Sequence, residues 1–511
     1  MSQAVLIPIL AAMAIWPFGR HRGHDEGTIK TLESVVVEVD AERSIEGSEQ
    51  KAIESYRSFL DLASEDPLLR AEAMRRLADL QLETAEVEQL QRNLEGVGGD
   101  VGGSTVGLYE QLLETYPNYA KNDLVLYQLA RAHEAAGRLD EALATLERLV
   151  KEYPDTVHID EAHFRRGEML FVEQRYAEAE DAYQYVLDFG DSSSFYEQSL
   201  YKQGWAQFKQ IRHEDSLVPF FALLDRKFHV GSGGDEDPAR IYAAMGRAEQ
   251  ELVDDTLRVV SIGFSYMDGA SSITDHFRKL GSRPYAYVVY TNLGDLYIDQ
   301  ERYQDAAHAY RAFVDLDPYH AKAPFMLVEV IEAYKQGGFA DLVLDGKREF
   351  VEVYGPTSPY WTAFSFEDQP EVVAHLKGNL TDLAAYHHAE AQATGAVAEY
   401  EQAAHWYRTY LQSFPDGEDA AATNFLLAEV LFESGRFDEA AQEYERTAYA
   451  YPLHERSGEA GYAALLAYRE HEKRLTGAAM AAWHRQSIDS ALRFAATYPE
   501  HEQAAAVQTD A

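Results

Sequence analysis

Residues 290–318 read YTNLGDLYIDQERYQDAAHAYRAFVDLDP, and the placement of large and small side chains in this stretch decides the fold. Tyr290, Leu293, Tyr297, Tyr310 and Phe313 carry the bulk, while Gly294 and Ala306 are small. This is the pattern of two antiparallel helices that approach closely at the small residues, with the large ones filling the space around them. Pro318 stops the second helix, because proline has no N–H to donate and keeps the residue before it out of helical geometry. One such pair cannot bury its own apolar face, so copies have to stack.

The copies are present. Ala130, Gly167 and Gly204 hold the Gly294 position in earlier segments, each 37 residues after the last. Tyr116-Pro117 and Tyr153-Pro154 keep the same interval of 37, as do Phe414-Pro415 and Tyr451-Pro452 far downstream. Ala428 and Ala440 repeat the roles of Gly294 and Ala306 in a later copy. Taken by position, Tyr290, Leu293-Gly294, Tyr297, Ala306, Tyr310 and Pro318 resemble the tetratricopeptide repeat, whose plain period is about 34 residues. The extra length falls in the loops. Over roughly residues 50–500 this resemblance implies an all-α, right-handed superhelical solenoid of antiparallel helix pairs, with about nine repeats.

Composition shifts divide the chain. A leader and flexible segment are expected at 1–30, then an extended arm at 31–48 around the β-branched run Val35–Val39. An N-terminal array follows at 49–230, interrupted by a glycine-rich insertion at 96–104. A flexible loop at 231–238 precedes a central array at 239–353, in which 239–266 reads as one helix with 271–280 as its degenerate partner. Tyr360, Trp361, Phe364 and Phe366 mark an aromatic interruption at 354–371, and a C-terminal array occupies 372–511. At its end the helix of residues 488–498 is expected to stay partly uncovered, because 502–511 supplies a fragment too short to hold as a helix alone. Either the natural chain continues past Ala511, or this end docks on a partner or self-associates.

Lys and Arg total 45 against 86 Asp and Glu, a formal charge of −41. Such a field repels nucleic acid and anionic lipid headgroups, so neither is an expected partner. A salt-tolerant source and a long acidic exposed surface both account for the charge. No cysteine is present, which excludes disulfides, thiolate metal sites and a cysteine nucleophile. Ala4–Phe18 is the one long apolar run, short for a membrane span and of signal-peptide length, with an A-x-A site at Ala12-Met13-Ala14. Arg20 and Arg22 follow the run instead of preceding it, which opposes export unless the true start lies upstream. Export to a bacterial periplasm or envelope is the expectation, with the cytoplasm as the alternative. Membrane contact is expected only through an uncleaved N-terminal segment.

The search for chemistry finds no enzyme. Asp188-Phe189-Gly190 resembles a kinase triplet without its partner motifs, and no H-E-x-x-H or G-x-S-x-G occurs. His21 and His24 with Asp25 and Glu26 meet no metal-site spacing and read as leader residues. No catalytic residue, cofactor or metal is expected. What remains is surface for other proteins. In the family resembled, the fifth, ninth and twelfth positions of each first helix line a groove. Here these positions hold Tyr127, Arg131 and Glu134; Phe164, Glu168 and Phe171; and Tyr201, Trp205 and Phe208. Further on they hold Thr291, Asp295 and Ile298, then Phe425, Glu429 and Phe432. The aromatics between 164 and 208 are either a binding hot spot or packing for another element such as Val35–Val39. The resemblance implies a non-enzymatic scaffold, with a role in outer-membrane assembly or cell-wall coordination by analogy. A regulatory adaptor on a partner enzyme is the alternative.

Overall fold

The structure is a computed structural model that describes residues 48–62, 66–95, 103–231 and 237–510. The leader, the arm around Val35–Val39, most of the glycine insertion and the core of the 231–238 loop lie outside the described residues. Among those described, 23 α-helices and two short 3-10 turns occur, and no strand. The chain divides into two units, 1–223 and 224–511, and each is taken by itself.

In the first unit α1 (Ser48–Asp61) packs on α2 (Pro67–Glu95), and α2 on α3 (Gly103–Thr115). Three pairs of one design follow: α4 (Asn122–Ala135) with α5 (Leu139–Glu152), α6 (Ile159–Val172) with α7 (Tyr176–Leu187), and α8 (Tyr196–Lys209) with the start of α9 (His213–Lys227). The helical spacing of α5 is plain. Ala142, Leu143, Leu146 and Leu149 fall on one face and are buried, with Asp140 and Glu141 in the first turn and Lys151 in the last. Between the helices of each pair one residue turns left-handed, at Gly137 (φ 69°), Gln174 (φ 64°) and Ile211 (φ 64°). There the amides of the turn satisfy the last helical carbonyls: Arg138 N–H donates to His133 O at 2.8 Å and Arg212 N–H to Gln207 O at 3.1 Å.

Close approach happens where the small residues stand. A Cβ added to Gly167 would lie 2.6 Å from the Tyr183 ring, and one added to Gly204 would lie 2.7 Å from the Phe220 ring. The facing aromatic comes 16 residues after the glycine in both pairs, and again for Gly294 and Tyr310 in the second unit. Ala130, Ala306, Ala428 and Ala440 are all buried at such contacts.

The second unit contains α10 (Pro238–Ala244), α11 (Arg247–Ser265), α12 (Ala270–Leu280), α13 (Ala286–Asp299), α14 (Tyr303–Leu316), α15 (Ala323–Gln336) and α16 (Ala340–Tyr354). It continues with α17 (Pro370–Thr394), α18 (Val397–Ser413), α19 (Ala420–Glu433), α20 (Phe437–Tyr449), α21 (Ser457–Glu472), α22 (Gly477–Thr497) and α23 (Ala504–Asp510). Three expectations change here. The single helix over 239–266 is two, because Met245 and Gly246 are extended and the Glu249 carboxylate accepts from Gly246 N–H at 3.3 Å to start α11 afresh. Helix α12 is not the simple partner of α11, which packs chiefly on α13. Instead α12 turns at Gly269 and lies against α13 and α14, with Thr274 and Tyr290 hydroxyls 2.9 Å apart. At the far end α22 begins at Gly477, well before the expected 488, and Phe494 is fully buried against Tyr462, Tyr498 and His501. Residues 504–510 do form a helix, with Ala504 buried; of the face expected to stay partly uncovered, Phe494 is buried, Ile488 and Tyr498 are half-buried and Leu492 is exposed.

The aromatic interruption is a plug. Ser358 caps a 3-10 turn over Pro359–Thr362, and buried Tyr360 meets Tyr354 and Trp361 edge-on at 5.4 and 5.0 Å. Trp361 Nε1 donates to Tyr354 O at 2.9 Å, and Phe366 reaches Phe414 at the end of α18. Of the aromatics that break the repeat pattern, Tyr360 is therefore core, while Trp361, Phe364 and Phe366 pack around it half-buried.

Candidate protein-binding groove

The first helices of the first unit are braced to one another by a periodic set of contacts. Thr156 Oγ1 donates to Asp123 Oδ2 at 2.8 Å, and 37 residues on Ser193 Oγ donates to Asp160 Oδ2 at 2.8 Å. Tyr127 stacks on His158 at 4.3 Å, and 37 residues on Phe164 stacks on Phe195 at 4.9 Å. Ion pairs then run from helix to helix: Glu86 of α2 with Arg131 of α4 at 2.7 Å, Glu134 with Arg165 of α6 at 2.8 Å, and Glu168 with Lys202 of α8 at 2.9 Å. Burial raises the pKa of the Glu134 carboxyl, while Arg165 opposes that shift. Each pair is partly shielded from water, and removing one partner would leave a poorly solvated charge.

These contacts change the roles of several expected groove residues. Glu168 is buried and also accepts from the Tyr183 hydroxyl at 2.6 Å, so it locks α6 to α7 and α8 and does not face a partner. Tyr127, Tyr201 and Phe425 are buried as well, the last beneath the Arg456 guanidinium at 3.6 Å from its ring. Each ring belongs to the core of its own unit. Arg131 and Glu134 are spent on the ion pairs above. In the second unit Asp295 is exposed and accepts from Tyr310 at 2.7 Å, repeating the Glu168–Tyr183 arrangement, and Thr291 bonds its own helix at Tyr287 O. Ile298 is half-buried, and Glu429 accepts from Arg456 at 3.4 Å.

Five of the expected groove aromatics are half-buried and keep part of their surface open: Phe164, Phe171, Trp205, Phe208 and Phe432. Three cluster on α6 and α8. Trp205 meets Phe208 edge-on at 5.6 Å, and Lys209 lies 5.5 Å above the indole. Phe171 stands edge-on to Tyr176 at 5.2 Å with Lys202 5.7 Å from its ring. With Lys202 held by Glu168, the partly open rings and the Lys209 amine make a surface for flat apolar groups. The indole Nε1 of Trp205 is buried with no hydrogen-bond partner among the described residues. Phe432 is separate from these, packed at 5.1 Å on Phe437.

Sequence reasoning missed the pairing of Tyr183 and Tyr310 with the carboxylate that follows the close-contact glycine. The signal was available: in both repeats the acid comes 15 residues before the tyrosine. It also missed a cleft of 690 Å³ in the second unit between α15, α16 and α17. Among the described residues no group of three or more His, Asp or Glu side chains is placed to hold a metal ion. No helix among them is long and apolar enough to cross a membrane.

A family profile described as tetratricopeptide repeat matches residues 107–156, 127–194, 291–339 and 388–455. No curated protein matches the sequence. Among solved structures, the chain is similar to one titled Naa15/Naa10 bound to HypK-THB, at 14% identity and TM-score 0.29, covering 89% of this chain and 64% of that one. The chain thus spans less than two thirds of that structure's length. A tetratricopeptide repeat protein from Parabacteroides merdae matches at 12% identity and TM-score 0.26, covering 59% of this chain and 99% of its own. The C-terminal part of a repeat-containing protein from Cytophaga hutchinsonii matches at 12% identity and TM-score 0.23, with 58% and 98% covered.

Proposed function

We propose that this chain, a tetratricopeptide-repeat protein, is a non-enzymatic scaffold that binds other proteins through the first-helix face of its first unit, at Phe171, Trp205 and Phe208. The observation that carries this reading is the partial exposure of those three half-buried rings on α6 and α8, where neighbouring positions are buried or ion-paired. Aromatics give large contact area at small entropic cost, which is why they dominate interface energetics. Trp205→Ala with Phe208→Ala should lower capture of the partner at least about tenfold while helical content stays close to wild type. Loss of helicity in the variant would show the rings to be structural and would sink the assignment.

A bacterial envelope setting, in outer-membrane assembly or cell-wall coordination, is supported by the apolar run Ala4–Phe18 and its A-x-A site. A cytoplasmic or membrane-tethered adaptor acting on an enzyme is favoured by one feature, Arg20 and Arg22 on the C-terminal side of that run. Sequencing the N-terminus of the mature protein separates the two: a start at Ile15 supports export, and an intact leader supports the adaptor.

A further inference from the structure

The cleft between α15, α16 and α17 lies where the repeats lose their register. One matched repeat ends at residue 339 and the next begins at 388, so the α16 wall and nearly all of the α17 wall belong to neither. At the C-terminal end of α16 the helices close on each other through buried Phe350, whose ring meets His375 at 6.3 Å. Toward the N-terminal end they part, leaving Val343 and Leu344 only half-buried. Two features of α17 line this space without a partner among the described residues. Gly378 sits in mid-helix, where glycine costs about 1 kcal/mol relative to alanine, yet a Cβ there would meet nothing within 4 Å. Asn379 is 9% exposed and lines the cleft, and its carboxamide has no hydrogen-bond partner among the described residues.

The charges on the rim set the sign of the occupant. Lys335 pairs with Glu332 at 3.3 Å, and Lys347 pairs with Asp382. Asp341 in the first turn of α16 has no such pair among the described residues and leaves the rim net negative. We infer that the cleft takes a basic peptide segment of a partner protein. A large apolar side chain enters between Val343 and Leu344, a neighbouring Lys or Arg meets Asp341, and the peptide backbone pairs with the Asn379 carboxamide. A carboxamide sets an N–H donor beside a C=O acceptor, which matches the two sides of a peptide group. The bare backbone at Gly378 admits the strand closely. The size fits, since clefts of roughly 300–1,000 Å³ hold ligands of a few residues. This site is separate from the rings of the first unit and does not depend on them.

The probe is a bead-displayed library of N-acetylated, C-amidated octapeptides, offered to the full-length protein. Wild type should enrich sequences with Lys or Arg beside Leu, Met, Phe or Trp. Gly378→Leu fills the cleft with a better helix former, so it should bind the enriched peptides about tenfold more weakly or worse, with a melting temperature unchanged or raised. Asp341→Lys should shift the selected charge from basic to acidic. Trp205→Ala with Phe208→Ala should bind the peptides as wild type does. If that double variant loses them, the peptides sit in the first unit; the inference fails and the proposed function stands. Equal binding by Gly378→Leu, enrichment of acidic or uncharged peptides by wild type, or no enrichment at all would each overturn the inference.

Discussion

Ile211 holds a left-handed turn position that Gly137 fills two positions earlier in the same periodic series. A β-branched residue there crowds its own backbone, at a cost of about 1–2 kcal/mol. It is also 79% exposed, so its side chain returns little through burial. Ile211→Gly should therefore stabilise the protein by about 1 kcal/mol after the greater chain entropy of glycine is counted. Urea unfolding followed by circular dichroism checks this, and a midpoint that falls would show that Ile211 makes contacts the turn geometry does not reveal. His163 offers a second test. Burial, with Arg166 close by, lowers its pKa to about 4, and its ring stacks on Tyr185 at 4.4 Å. In the unfolded chain it titrates near 6.5, so between about pH 6.5 and 4 the unfolded state binds the extra proton. Stability should fall as pH drops through that window, by up to about 3 kcal/mol, and level off below it. His163→Phe should flatten this slope; an unchanged slope would assign the dependence to other groups.

At the scale of the helix pair, one contact was legible from spacing and one was not. Gly167, Gly204 and Gly294 announce a close approach, and the structure puts an aromatic ring against each of the three. The periodicity of small and large residues is a direct imprint of helix contact, so it can be read from a single chain. The use of position nine as an internal acceptor could not be read from the pattern of the first helix alone. Glu168 looks like an exposed groove charge until the Tyr183 hydroxyl, contributed by the second helix, is placed beside it. The plug around Tyr360 was hidden for a similar reason, because aromatics without period look the same whether they are buried or bare. Gly294→Leu should force a branched side chain into the Tyr310 ring and cost roughly 1–3 kcal/mol. Since repeats couple mainly to their neighbours, amide exchange should rise first over residues 287–353. Uniform loss of protection, or none, would contradict that coupling.

Across the whole molecule, the pairing of consecutive helices followed from the sequence, while the sites did not. Of the expected groove residues, Tyr127, Glu168, Tyr201 and Phe425 are buried and only a subset of rings faces outward. Burial depends on what neighbouring repeats contribute, and that information is spread over positions 37 residues apart. In the proposed function the first-helix face of the first unit receives the partner. Amide hydrogen exchange with and without the bound partner tests it most directly. Exchange should slow in Ile159–Val172 and Tyr196–Lys209, with Leu139–Glu152 and Tyr176–Leu187 unchanged. Protection confined to those two second helices would contradict it.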